Sequence, residues 1–206
     1  MIQRGDLLEV KGKRITIREL KLEDVFNMKN WGFHENTLIE DYNFPPMNDK
    51  EIKLWYKMKT DRLFNKYYGV LNENNQLIGY MGIKDIKVVR RESTLGIVLD
   101  PNNVDKGYGT EILDTFLEYY FTEMKMRKMI LEVAEFNKRA YRVYEKIGFL
   151  PTGYYLDEFF DSELDLTDPY YLEAKSSFVI TDKKIYNYIY KMVVDKKRFF
   201  KLRKTM

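Results

Sequence analysis

Apolar and polar residues alternate along RITIREL, residues 14–20, which predicts a half-buried strand. From Leu22 to Trp31 the spacing changes: Leu22, Val25, Phe26 and Met28 fall on or near one face, as a short helix requires. Residues 32–47 hold Gly, Asn, two consecutive Pro and several aromatics, and read as a loop. Asn48 stands where an N-cap should, with Glu51 as its capping-box partner, so a helix is predicted to about Phe64. Strand-like runs at 66–71 and 76–86 flank Asn72-Glu73-Asn74-Asn75, a hairpin turn. A third run, about 89–99, ends in Leu95-Gly96-Ile97-Val98-Leu99 and is stopped by Asp100-Pro101.

Ile112, Leu113, Phe116, Leu117, Tyr120, Phe121 and Met124 recur at three- and four-residue spacing, predicting a helix over about 108–124. KMILEVA, residues 128–134, is a buried-type strand. A helix over about 138–147 carries Ala140, Val143, Tyr144 and Ile147 on one stripe and stops at Gly148, a C′ position. Strands follow at about 152–160 and 184–194, the second a long aromatic and β-branched alternation. Residues 161–182 between them carry six acidic residues against one Lys, and the tail 196–206 is basic. This order predicts one α+β domain over 1–206, a mixed central sheet of about seven strands flanked by about four helices. The acidic insert and the basic tail are its two additions.

Composition narrows the chemistry. The 206 residues are 45% hydrophobic and 33% charged, an ordinary globular balance. A formal charge of +3 is too small to announce a nucleic-acid partner. There is no Cys, which removes disulfides, thiolate nucleophiles and Cys-containing zinc sites, and the single His34 removes HExxH chemistry. No metal is therefore expected, and catalysis must run on carboxylates, Tyr, Lys and backbone amides. The start lacks the apolar run of a signal peptide and no 18-residue apolar stretch occurs, so a cytoplasmic protein without a membrane partner is expected.

The informative stretch is LGIVLDPNNVDKGYGT, residues 95–110, which leads straight into a helix. The free N–H groups of that helix's first turn sit at its positive end and suit an anion. Gly107 and Gly109 let backbone approach a phosphate, although a tight turn needing positive φ accounts for them equally well. Ile112 stands where a Rossmann fingerprint needs its third Gly, and a P-loop needs Gly-Lys-Ser/Thr where this chain has Lys-Gly-Tyr-Gly-Thr. A second stretch, LEVAEFNKRAYRVYEKIGF at 131–149, places Asn137 before a helix bearing Ala140 and Tyr144, then Gly148-Phe149.

Together the two stretches resemble the GNAT superfamily of acetyl-CoA-dependent N-acetyltransferases, nearest to its ribosomal-protein and diamine branch. The resemblance implies a sheet splayed at the co-substrate site, with main-chain groups of Ile97, Val98 and Leu99 pairing with the pantetheine arm of acetyl-CoA. A backbone N–H there would polarise the thioester carbonyl. It implies a pyrophosphate loop made by Val104, Asp105, Lys106, Gly107, Tyr108, Gly109 and Thr110. Asn137 would reach the pantetheine, a position that also fits a helix N-cap, and Lys138 or Arg139 would approach the nucleotide phosphates. Tyr144 would be the general acid for the departing thiolate, unless it merely packs on its apolar stripe. Glu132 matches a general base, or is a strand-surface carboxylate; Glu92 is the second candidate, and His34 could line the acceptor site.

Direct transfer to a primary amine, a polyamine-like molecule or a protein N-terminus, is the activity so implied. The acidic insert would set a negative field at the acceptor mouth and favour cationic amines. Two other classes stand beside it: a catalytically degenerate acyl-CoA-binding module, and a ribosome- or RNA-associated protein using the basic tail. The long last strand could pair across a homodimer.

Overall fold

The computed structural model describes residues 9–182 and 184–204; the first eight residues and the end of the basic tail lie outside that range. Its elements are β1 (Glu9–Lys11), β2 (Ile15–Glu19), α1 (Leu22–Asn27), α2 (Asp49–Thr60), β3 (Lys66–Asn72), β4 (Leu77–Lys87) and β5 (Glu92–Leu99). There follow α3 (Tyr108–Thr122), β6 (Lys128–Ala134), α4 (Lys138–Ile147), β7 (Leu150–Glu158), β8 (Phe178–Thr181), β9 (Lys184–Asp195) and α5 (Lys196–Arg203). One mixed sheet runs β1-β2-β3-β4-β5-β6-β9-β7, with β8 also on β9. Among the described residues the only parallel pair is β5 with β6, joined by α3.

The two faces of the sheet bury different sets. Tyr68, Val70, Met81, Ile83, Leu95, Met129, Leu131 and Met192 point at the α3 side, where Ile112, Phe116, Leu117, Tyr120 and Phe121 meet them. Tyr67 points the other way, into a core with Leu20, Val25, Met28 and Ile52 under α1 and α2. This alternation is what a strand covered on both faces requires. The α2 capping box forms as its sequence predicts: Asn48 Oδ1 accepts from Lys50 and Glu51 N–H groups, and Glu51 Oε2 accepts from Asn48 N at 2.7 Å. Gly148, at φ 109°, ends α4 in the left-handed conformation.

The structure adds two strands to the seven read from the pattern. β1 is three residues long and β8 four, both too short to show a period. β9 is internal: it pairs with β6 on one edge and β7 on the other, so it has no free edge for a second copy. The basic tail is not a solvated end. α5 buries Phe199 against Phe121, Arg203 pairs with Asp114 and Glu118, and Arg198 Nε donates to the Gly148 carbonyl at 2.7 Å. No described helix is long and apolar enough to cross a membrane.

Candidate active site

β5 and β6 are hydrogen-bonded only where 92–95 face 128–131; beyond that both strands continue unpaired with each other. Each is held away by its outer neighbour, β5 by β4 as far as the Leu99–Gly79 pair and β6 by β9 as far as Ala134–Ile189. The split opens a cleft of about 350 Å³ lined by Gly96, Ile97, Val98 and Leu99 on one side and Glu132 and Val133 on the other. Unpaired strand backbone inside a cleft needs partners, so it suits an extended ligand that can add hydrogen bonds.

The loop after β5 closes one end. Asp100 is buried, and its carboxylate accepts from Gly32 N, Asn102 N and Asn103 Nδ2 at 2.9–3.0 Å, fixing the turn that follows. Gly107 caps α3 at φ 81°, a conformation that disfavours any side chain. A Cβ on Gly109 would meet only Leu99 Cδ1 at 3.6 Å and would otherwise stand over the helix's free amides. That bare approach is what a pyrophosphate group requires, so this loop fits the CoA moiety. Arg14 braces the loop from behind: its guanidinium lies 4.6 Å over the Tyr108 ring, bonds Glu111 and donates to the Lys106 carbonyl. Sequence reading gives Asp100 only as the stop of a strand, and it misses Arg14, which lies outside both informative stretches.

Of the residues expected at the site, Ile97, Val98, Leu99, Val104, Asp105, Gly107, Gly109, Thr110, Asn137, Arg139, Tyr144 and Glu132 line this one cleft. Three do not. The Tyr108 side chain is buried away from the cleft beneath Arg14, and its hydroxyl donates to Glu73 at 3.0 Å, leaving only its amide on the loop. Lys106 is exposed beside the loop. Glu92 pairs with Lys128 at the opposite end of β5, ringed by Lys87, Arg90 and Lys128 at 3.3–3.9 Å. Parallel register puts it four residues below Glu132's level, so it is no base for the cleft.

Asn137 caps α4, accepting from Ala140 N at 3.1 Å, and its side chain also hydrogen-bonds Tyr42. Arg139 spans the cleft's rim to Asp105 at 3.3 Å. Tyr144 faces the cleft from α4 while its ring packs 5.9 Å from Phe149; burial, with Tyr42 nearby, pushes its hydroxyl well above the ordinary value. It stays protonated at neutral pH and can donate. His34 also lines the cleft, its imidazole pushed down by burial and by Arg139, so it is neutral at pH 7.

A second pocket of about 330 Å³ adjoins the first and shares Tyr42, Glu132 and Val133 with it. Its walls include the aromatics Phe136, Tyr155, Phe159 and Phe160, and the carboxylates of Asp41, Glu132, Asp157 and Glu158. Tyr155 hydrogen-bonds Glu132, and burial followed by that carboxylate raises its hydroxyl to about 12. Asp41 is an exposed residue of this wall, and partial desolvation pushes its carboxyl up from the ordinary value. Asn187, 4% exposed, lines the same pocket. The insert's Asp161, Glu163 and Asp165 line neither pocket. Asp161 and Asp165 instead accept from Glu163 N and Thr167 N at 2.8–2.9 Å, holding local turns. The negative charge expected of the insert is thus supplied by other residues.

Comparison with known proteins agrees with this geometry. A family model described as an acetyltransferase (GNAT) domain matches residues 14–150. A spermidine N(1)-acetyltransferase of Vibrio cholerae is 25% identical over 147 residues, 71% of this chain and 85% of that protein. Its Escherichia coli K12 counterpart is 29% identical over a shorter stretch, 44% of this chain and 49% of that protein. A Vibrio cholerae spermidine N-acetyltransferase solved with CoA and spermine superposes with a TM-score of 0.67 at 20% identity, covering 91% of this chain and 98% of that one. A dodecameric form superposes at 0.63 with 20% identity, covering 90% and 96%.

Proposed function

The chain belongs to the GNAT acetyltransferase family and is an acetyl-CoA-dependent N-acetyltransferase, and from that premise we propose that its acceptor is a cationic primary amine of the polyamine class. The observation that carries the proposal is the acidic, aromatic-walled pocket that opens into the cleft beside Glu132. A polyamine has several ammonium groups separated by methylenes, and such a pocket offers carboxylates for the first and apolar walls for the second. The spermidine acetyltransferases to which the chain is similar support the same reading.

In this reading the main chain of Ile97–Leu99 holds the pantetheine arm, the amides around Gly107–Thr110 hold the pyrophosphate, and Arg139 leaves Asp105 for the nucleotide phosphates. Asn137 orients the pantetheine while capping α4. Glu132, at the junction of the two pockets, takes the proton that the amine must lose before its nitrogen attacks the thioester carbonyl. As the C–S bond breaks, the Tyr144 hydroxyl donates to the departing sulfur, and its phenolate takes up the second proton that the attacking nitrogen sheds on becoming an amide. Without Cys the chain has no thiol to carry an acyl group, so transfer is direct. The outer edge of β7 carries no strand among the described residues, which supports self-association there; size-exclusion chromatography of a β7-edge variant tests it.

The deciding assay is thiol release from acetyl-CoA against a panel of amines. Spermidine, spermine and shorter diamines are expected to exceed uncharged-tail monoamines in kcat/KM by roughly tenfold or more, the scale of one well-placed charge contact. Equal values across the panel would remove the polyamine reading and leave the family assignment intact.

A further inference from the structure

We infer that residues 159–182 are the acceptor-selectivity element of this enzyme: they hold the Thr37–Tyr42 turn, and with it Asp41 and Tyr42, in the wall of the second pocket. The inference rests on the polyamine reading above and names the part of the chain that enforces it.

By composition the segment is an acidic loop, yet it folds around its apolar residues. Leu164, Leu166 and Phe178 are buried with Phe159 and Ile185 in a core separate from the two that sandwich the sheet. Two other parts of the chain enter that core. Leu38, 6% exposed, comes from the Thr37–Tyr42 turn, and Phe136 comes from the entrance to α4. Phe136 stacks on Phe178 with centroids 5.4 Å apart and meets Phe159 edge-on at 5.8 Å. One polar contact fixes the turn's start, the Tyr171 hydroxyl donating to Thr37 Oγ1 at 3.1 Å. The segment therefore grips both sides of the acceptor pocket: the turn bearing Asp41 and Tyr42, and the residue just before Asn137, which itself hydrogen-bonds Tyr42.

The turn needs an external hold. It is a six-residue 3-10 segment, a geometry with poor hydrogen bonds that is marginal at this length. It also brings Asp41 to a pocket that already holds Glu132, Asp157 and Glu158, and like charges oppose that approach. Burial of Leu38 in the insert's core supplies the opposing force. Asp161, Asp165 and Asp168 of the insert hold its own turns, each accepting from a backbone N–H two residues ahead. Its contribution is mechanical: without it the Thr37–Tyr42 turn is free to carry Asp41 and Tyr42 out of the pocket wall.

The test compares three variants of the full chain, Tyr171→Phe, Thr37→Val and Phe178→Ala, in acetyl-CoA kinetics with spermidine and with a monoamine lacking a second charge. Tyr171→Phe is expected to raise KM for spermidine about fivefold, the worth of one neutral hydrogen bond, with kcat and KM for acetyl-CoA unchanged. Thr37→Val should do the same, and the double variant should be no worse than either single one, since both remove one contact. Phe178→Ala should raise spermidine KM by roughly tenfold or more through loss of position, with the monoamine rate retained. If Phe178→Ala fails to fold, the two hydrogen-bond variants carry the test alone. Unchanged spermidine KM in folded Tyr171→Phe and Thr37→Val, or an equal loss for both acceptors, overturns the inference while wild-type preference for spermidine preserves the polyamine reading. A wild type without that preference overturns both.

Discussion

Tyr144 reaches the cleft from the apolar stripe of α4, so packing and the proposed proton donation fall on one side chain. Tyr144→Phe keeps the ring against Phe149 and removes only the donor. Its kcat should fall about 10²- to 10⁴-fold with little change in Tm, measured under conditions where chemistry limits the rate. Because burial holds the hydroxyl above its ordinary value, its ionisation should not produce an alkaline loss of wild-type kcat below about pH 10. Asp41 carries the opposite kind of trade. Its carboxyl is pushed up, so the folded chain binds that proton more tightly than the unfolded chain does. Stability from this group is therefore lost, not gained, as pH rises through and above the ordinary carboxylate range. Asp41→Asn should raise KM for spermidine and leave Tm at pH 7 no lower than wild type, and a fall in Tm would show that the carboxylate is a structural partner instead.

At the scale of elements, the loop from β5 to α3 separates two glycines with different duties. Gly107 needs its positive φ, and a Cβ there meets only Arg14 Nη2 at 3.5 Å, so the strain is in the backbone alone. Gly107→Ala should cost about 1 kcal/mol of stability and keep a melting shift with CoA. Gly109 has room for a Cβ within the protein but not beneath a phosphate. Gly109→Val should melt like wild type and lose the CoA shift, which at 100 times Kd corresponds to about 2.7 kcal/mol. The geometry of this loop and of the α4 entrance was legible in the sequence because each is contiguous, and caps and glycines act on their own neighbours. The acceptor pocket was not legible. Asp41, Glu132 and Asp157 come from three distant segments, and only the β7–β9 pairing and the insert's buried core bring them together. Glu92 misled for a related reason: its residue type and strand suited a base, while its level in the sheet depends on the register with β6.

The whole molecule hides a strong charge separation behind its formal charge of +3. At the end of the sheet away from the cleft, Lys87, Arg90, Arg91, Lys125, Arg127, Lys128, Lys196 and Lys197 are all exposed. Backbone contacts draw these segments together, Arg127 N to the Arg91 carbonyl at 2.8 Å and Lys196 N to the Arg127 carbonyl at 3.0 Å. The acceptor pocket at the opposite end of β6 holds Asp41, Glu132, Asp157 and Glu158, of which Glu158 pairs with Lys184 at 2.8 Å. If the second pocket takes the acceptor as proposed, its carboxylates raise the local concentration of a polycation at that end. Exposed charges are screened beyond about 8–10 Å at 0.1–0.15 M salt, so this advantage must shrink with ionic strength. The kcat/KM for spermidine should fall steeply between about 0.05 and 0.5 M sodium chloride, and that of an uncharged-tail monoamine much less. Asp157→Asn should flatten the spermidine slope, since it removes a pocket carboxylate that forms no ion pair among the described residues. Equal slopes for the two acceptors, unaltered by Asp157→Asn, would mean that the field does not guide the substrate and that selectivity arises from contact inside the pocket alone.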